Sequence, residues 1–111
     1  ETSKAVEEID AIVSVDGVDG AFIGPYDLSL SYGIPGQLSD PRMVDAKKKI
    51  VNSCAHVGKA AGLHQVNCTT ESIVDAVDSG FTFIALGMDT VFIDSSARSA
   101  IAIAQQKMDT D

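Results

Sequence analysis

Tryptophan is absent from these 111 residues, aromatic side chains make up only 5% of them, and there are two cysteines and two histidines. Cys54 and Cys68 stand in no metal-ligand or redox spacing and bring no disulfide framework, so a reducing, cytoplasmic setting is expected. Basic residues are scarce as well, eight against sixteen acidic, for a net charge of −8. The one basic cluster, Lys47-Lys48-Lys49, is expected on the solvated face of a helix. That balance argues against a nucleic-acid or anionic-membrane partner. No apolar run reaches membrane-spanning length, and Glu1-Thr2-Ser3-Lys4 is no signal peptide. The first residue is not Met, which raises the expectation that the chain begins inside a longer one. What remains, 45% hydrophobic and 22% charged residues, is ordinary for one globular domain.

Apolar periodicity divides that domain into seven elements. Thr2 or Ser3 can cap a helix with Ala5, Ile9, Ile12 and Val13 on one face and Lys4, Glu7, Glu8 and Asp10 on the other, ending near Ser14. Two Asp-Gly turns lead into Ala21-Phe22-Ile23, a run expected to form a strand covered on both faces. A breaker-rich loop follows from Ser31 to Ser39. Asp40-Pro41 then starts a helix whose inner stripe is Met43, Ile50, Cys54 and Val57, with Val51 beside it, and Gly58 stops it. Ala60 to His64 reads as a second strand. Thr69 or Thr70 caps a helix with apolar Ile73, Val74, Ala76 and Val77, closed by Gly80. Phe81 to Leu86 is the third strand, and a last helix is expected from Ile93 to Lys107, with Ala97, Ala100, Ile101 and Ala104 together. Asp89 is placed as a possible cap of that helix, and the polar tail after Met108 is expected to fray.

Three apolar strands separated by helices imply parallel pairing through right-handed crossovers. A doubly wound sheet and part of a (β/α)8 barrel both satisfy this order. The most informative stretch is Val18-Asp19-Gly20-Ala21-Phe22-Ile23-Gly24-Pro25-Tyr26-Asp27-Leu28-Ser29. Its strand breaks at Gly24-Pro25, and a short helix opening at Tyr26 would aim the Tyr26 and Asp27 N–H groups into the space above the strand, an anion site. Asp27 at its rim either caps the helix or holds a cation; on this stretch alone, capping is the simpler assignment.

The run from Val15 to Ser29, with Glu1-Thr2 before it and Gly33, Pro35 and Gly36 after it, closely resembles the class II pyruvate aldolases of the HpcH/HpaI family. The likeness continues through Gly58-Lys59-Ala60-Ala61-Gly62, Ser79-Gly80-Phe81 and Ala85-Leu86-Gly87-Met88-Asp89. It implies that residues 1–111 are the C-terminal half of a (β/α)8 TIM barrel, from the end of strand five to helix eight. It also implies a divalent cation, Mg, Mn or Co, held by Glu1 and Asp27. The substrate implied is a small 2-oxo acid: pyruvate, or a 4-hydroxy-2-oxo acid cleaved to pyruvate and an aldehyde, with negative charge on the keto oxygen stabilised by the metal. The substrate carboxylate would rest on the Tyr26 and Asp27 amides beyond Gly24 and Pro25, where a side chain on Gly24 would crowd the ligand. Members assemble as hexamers, so a homo-oligomer is implied.

The family's proton-handling His, Arg and Gln belong to earlier strands, so these 111 residues are expected to be inactive alone. Citrate-lyase-like and malyl-coenzyme A lyase-like enzymes share this chemistry, and a non-catalytic α/β fragment or interaction module is the alternative from another class. His64, at a strand end near the barrel mouth, could touch substrate or bond to backbone, and the second is preferred here. His56 is expected on the surface.

Overall fold

In the computed structural model, which describes residues 1–109, Thr2 opens the first helix by accepting a hydrogen bond from the Ala5 N–H at 3.1 Å. The single expected helix is two short ones, α1 (Ser3–Glu7) and α2 (Ile9–Val13), because Glu8 leaves helical geometry at ψ 11°. Val6, Ile9 and Val13 are buried at spacings of three and four, while Ile12, expected on the inner face, is 38% exposed.

Next come β1 (Gly20–Ile23), α3 (Pro25–Ser31), α4 (Pro41–His56), β2 (Ala60–Gln65), α5 (Thr70–Asp78), β3 (Phe83–Leu86) and α6 (Asp89–Met108). The strands form one parallel sheet in the order β1-β2-β3. In register, Gly20 pairs with Ala60 and Ile23 with Leu63, then Gly62 with Phe83 and Gln65 with Leu86. Asp40 caps α4 by accepting from the Arg42 N–H, with Pro41 at the first helical position, as the dipeptide requires. Thr69 caps α5 in a reciprocal box with Ser72. At the other end of α5, Gly80 turns left-handed at φ 90° and the Phe81 N–H reaches back to the Ala76 carbonyl. Phe81 is therefore a buried latch on that helix rather than the first residue of β3.

Helices cover one face of the sheet. Ile23, Ala61 and Leu63 turn toward Leu28, Met43, Ala46, Ile50 and Cys54 to make the core. The opposite face is bare: Phe22 is 43% and Phe83 59% exposed, and their rings meet edge to face at 5.3 Å over Gly62. Within these residues the expected cover on both faces is therefore met on one face only, since alternation sends every second side chain to the side that none of these helices covers.

The helices bring three more corrections. Lys47 is half-buried, unlike its exposed neighbours Lys48 and Lys49, because it lies in the groove between α4 and α5. In α5 only Ala76 is buried; Val74 and Val77 face outward. The last helix begins at Asp89 rather than Ile93, with Met88 as its N-cap and no side-chain cap. Asp89 stands in the first turn, where its carboxylate accepts from the Thr90 N–H at 2.7 Å, and is not the cap it was expected to be. None of the 20 residues of α6 is buried. Of the polar tail, Asp109 ends that helix, and Thr110 and Asp111 lie outside the described residues. His56 is exposed, and both cysteines are free. Among the described residues no helix is long and apolar enough to cross a membrane.

Candidate active site at the carboxyl ends of the strands

The chain leaves β1 through Gly24, the N-cap of α3, with Pro25 at the first helical position. Gly24 has φ −88°, an ordinary backbone, so no left-handed turn requires glycine there. Space does: a β-carbon added to Gly24 would lie 3.0 Å from Asp27 Oδ2 and 3.7 Å from Glu1 Oε1. The two carboxylates, 26 positions apart in sequence, thus approach one point. Asp27 is in the first turn of α3 but does not cap it, as the N-cap receives no side-chain hydrogen bond. Its carboxylate and that of Glu1 have no hydrogen-bond or ion-pair partner among the described residues. The simpler capping assignment is therefore not what the fold adopts.

Glu1 is brought here by a contact between two serines. The Ser3 N–H donates to Ser31 Oγ at 2.9 Å, tying the start of α1 to the end of α3. Ser29, fully buried, donates to the Tyr26 carbonyl at 2.6 Å and accepts from the Gly36 N–H at 2.9 Å. That hydroxyl binds the first turn of α3 to the returning loop. Gly33, left-handed at φ 71°, lets the Ile34 N–H reach the Ser29 carbonyl and turns buried Ile34 into the core.

The loop is closed by Arg42, which pairs with Asp40 at 2.9 Å and donates to the Tyr32 carbonyl at 3.2 Å. Hydrogen bonds from Arg42 hold the Asp40 carboxyl below the usual range. Burial, and then the charge of Glu7, push the Tyr32 phenol above its ordinary value. These groups lie behind the site and order its supports.

Pro25 has no N–H, and the first bond of α3 runs from the Leu28 N–H to the Gly24 carbonyl at 2.9 Å. The Tyr26 and Asp27 N–H groups have no acceptor among the described residues, as first-turn amides of an uncapped helix do not. Tyr26 itself is exposed. Two unpaired carboxylates beside two free amides suit a hard cation and an anionic ligand together. No group of three or more His, Cys, Asp or Glu side chains is placed for a metal among the described residues. A cation here would complete its shell with water and ligand oxygens. His64 lies at the carboxyl end of β2, its Nε2 3.0 Å from the Gly87 carbonyl, so the preferred backbone bond is the one observed.

Comparison with known proteins identifies the family. The family model for HpcH/HpaI aldolase/citrate lyase matches residues 1–95. A hydroxypyruvate/pyruvate aldolase of Roseobacter denitrificans is 37% identical over 103 residues, covering 92% of this chain and 39% of the relative. A 2-keto-3-deoxy-L-rhamnonate aldolase of Salmonella dublin is 36% identical over 107 residues, covering 93% and 38%. Among solved structures, an HpcH/HpaI aldolase from Desulfitobacterium hafniense superposes with a TM-score of 0.85 at 28% identity, covering 95% of this chain and 40% of that one. The citrate synthase SbnG gives 0.82 at 29% identity, covering 98% and 44%. The chain therefore spans about two fifths of the length of these relatives, and its parallel strands and helices are part of a (β/α)8 barrel. On its sequence and its fold alike, the chain belongs to the HpcH/HpaI aldolase/citrate lyase family.

Proposed function

We propose that this chain is the C-terminal part of a metal-dependent carbon–carbon lyase that cleaves 4-hydroxy-2-oxo acids to pyruvate and an aldehyde. The observation that carries the reading is the approach of the Glu1 and Asp27 carboxylates to Gly24, beside the unpaired amides of Tyr26 and Asp27. In a retro-aldol cleavage the C4 hydroxyl loses its proton, the C3–C4 bond breaks, and the electron pair moves toward the keto oxygen. A bound Mg, Mn or Co ion would supply the positive charge that stabilises that oxygen. Glu1 and Asp27 would hold the ion through hard oxygen ligands, leaving positions open. The Tyr26 and Asp27 N–H groups would receive the substrate carboxylate and set the keto group toward the carboxylate pair. Gly24 would leave room for both.

The base for the C4 hydroxyl is not assigned within these residues, so the 111-residue segment by itself is proposed to be inactive. The likeness to SbnG, a citrate synthase, keeps a citrate-lyase-like parent as the second reading. A cytoplasmic setting is proposed from the two cysteines, which stand in no disulfide framework. Homo-oligomerisation is proposed, with the hexamer coming from the family resemblance alone; the apolar side chains that α6 leaves uncovered, among them Phe92, Ile93, Ile101 and Ile103, are compatible with subunit contacts.

In a complete barrel containing this segment, pyruvate release from a 4-hydroxy-2-oxo acid is expected to stop on chelation and to return with manganese or magnesium. Full activity in excess chelator would sink the metal role.

A further inference from the structure

We propose that His64 determines specificity in the reaction just described, accepting a hydrogen bond from a hydroxyl on the aldehyde partner; the inference rests on that lyase reading. Register places the residue. Ile23 pairs with Leu63, and the residues that follow this last pair are Gly24, the N-cap of α3, and His64 in β2, at the same end of the sheet. His64 also pairs with Ala85. Side chains alternate along β2, so His64 shares the face of Gly62, under the Phe22–Phe83 pair, and not the core face of Leu63. It therefore stands above the bare side of the sheet, at the same carboxyl end as the two carboxylates. Glu1 lines a groove with β1 residues Gly20 to Ile23, on the edge of β1 that β2 does not pair with. Glu1 and His64 thus flank Gly24 from opposite sides.

The ring's chemistry selects its ligand. A carbonyl oxygen only accepts, so in the bond to Gly87 the proton is on Nε2. A neutral imidazole then carries its lone pair on Nδ1, which has no partner among the described residues. The anchor holds the ring in one orientation, which makes Nδ1 a fixed acceptor. If the pyruvyl end of the substrate occupies Asp27 and its amides, the remainder extends over neighbouring strand ends. A hydroxyl there gains a bond that a methyl group cannot make.

The test uses the complete barrel, with pyruvate and either glycolaldehyde or acetaldehyde as partner. Replacing His64 by Leu is expected to lower the glycolaldehyde-to-acetaldehyde ratio of kcat/KM by about tenfold, the scale of one lost hydrogen bond in a polar site. His64→Asn, which restores an acceptor near Nδ1 but loses the Gly87 anchor, should recover most of that ratio. His64→Gln, which can keep the anchor but not that acceptor, should not. A purely structural role would depress both aldehydes in parallel and would be relieved by Gln, and that result overturns the proposal. Exchange of the pyruvate methyl protons with deuterium, measured with manganese in the unaltered enzyme, separates the two inferences. No exchange overturns the lyase reading and this proposal with it; exchange with an unchanged aldehyde ratio in H64L overturns the role of His64 alone.

Discussion

Gly24 acts through the space it leaves: its missing side chain is what the two carboxylates close upon. Because φ there is −88°, alanine can take the backbone without strain. Gly24→Ala is therefore expected to leave the melting temperature unchanged or slightly raised. Its β-carbon would crowd Asp27 Oδ2, and manganese affinity of the complete barrel should fall by about 10–100-fold, the scale of a disturbed ligand shell. Titration calorimetry with a parallel thermal melt checks both, and unchanged affinity would remove Gly24 from the site. Gly24 and Asp27 were legible in the sequence because a Gly-Pro break followed by a carboxylate is a local signal. Ser29 and Ser31 were not. A serine inside a short helix looks the same whether its hydroxyl meets solvent, a returning loop or the chain's first helix, and only the fold brings Gly36 and Ser3 to them.

The helices show what pattern reading captures at the scale of an element. Asp40, Gly58 and Gly80 stand where local hydrogen bonding places them, and of the paired candidates Thr2 or Ser3 and Thr69 or Thr70 the fold uses Thr2 and Thr69. Exposure was less predictable, because it depends on which helix lies alongside. Lys47 illustrates this: α5 narrows its surroundings, and burial lowers the pKa of its amine below the ordinary lysine value. At pH values below the folded pKa both states are protonated and the native state carries the full cost of the half-buried cation. As pH climbs from there toward about 10.4, the unfolded value, the native amine loses its proton first and stability rises. Lys47→Met removes this cost, so the complete barrel should melt at a higher temperature than the unaltered protein near neutral pH. The difference should shrink in the alkaline range. An advantage that is the same at every pH would mean that packing, not charge, is responsible.

At the scale of the whole molecule, the described residues measure 64 × 28 × 21 Å with a radius of gyration of 17.8 Å, against about 13 Å for a compact chain of this length. The excess comes from α6, whose 20 residues span roughly 30 Å and bury none of their side chains. Two sheet edges and the Phe22–Phe83 face add further uncovered apolar and hydrogen-bonding surface. The 111-residue segment made alone is expected to self-associate as its concentration rises. Sedimentation velocity would read this directly, and a monomer that persists at high concentration would contradict it.

Taken by itself, the sequence determined the order of helices and strands, their parallel pairing, the family, and the two acidic residues to examine. Each of these depends on neighbours a few positions apart or on motifs that survive as text. Only the tertiary structure decided that Glu1 and Asp27 face the same glycine, that Asp27 is not spent on a cap, that one face of the sheet is bare, and that His64 is anchored to the Gly87 carbonyl. Those outcomes depend on strand register and on contacts between residues far apart in the chain, and periodicity along a single strand carries no record of either.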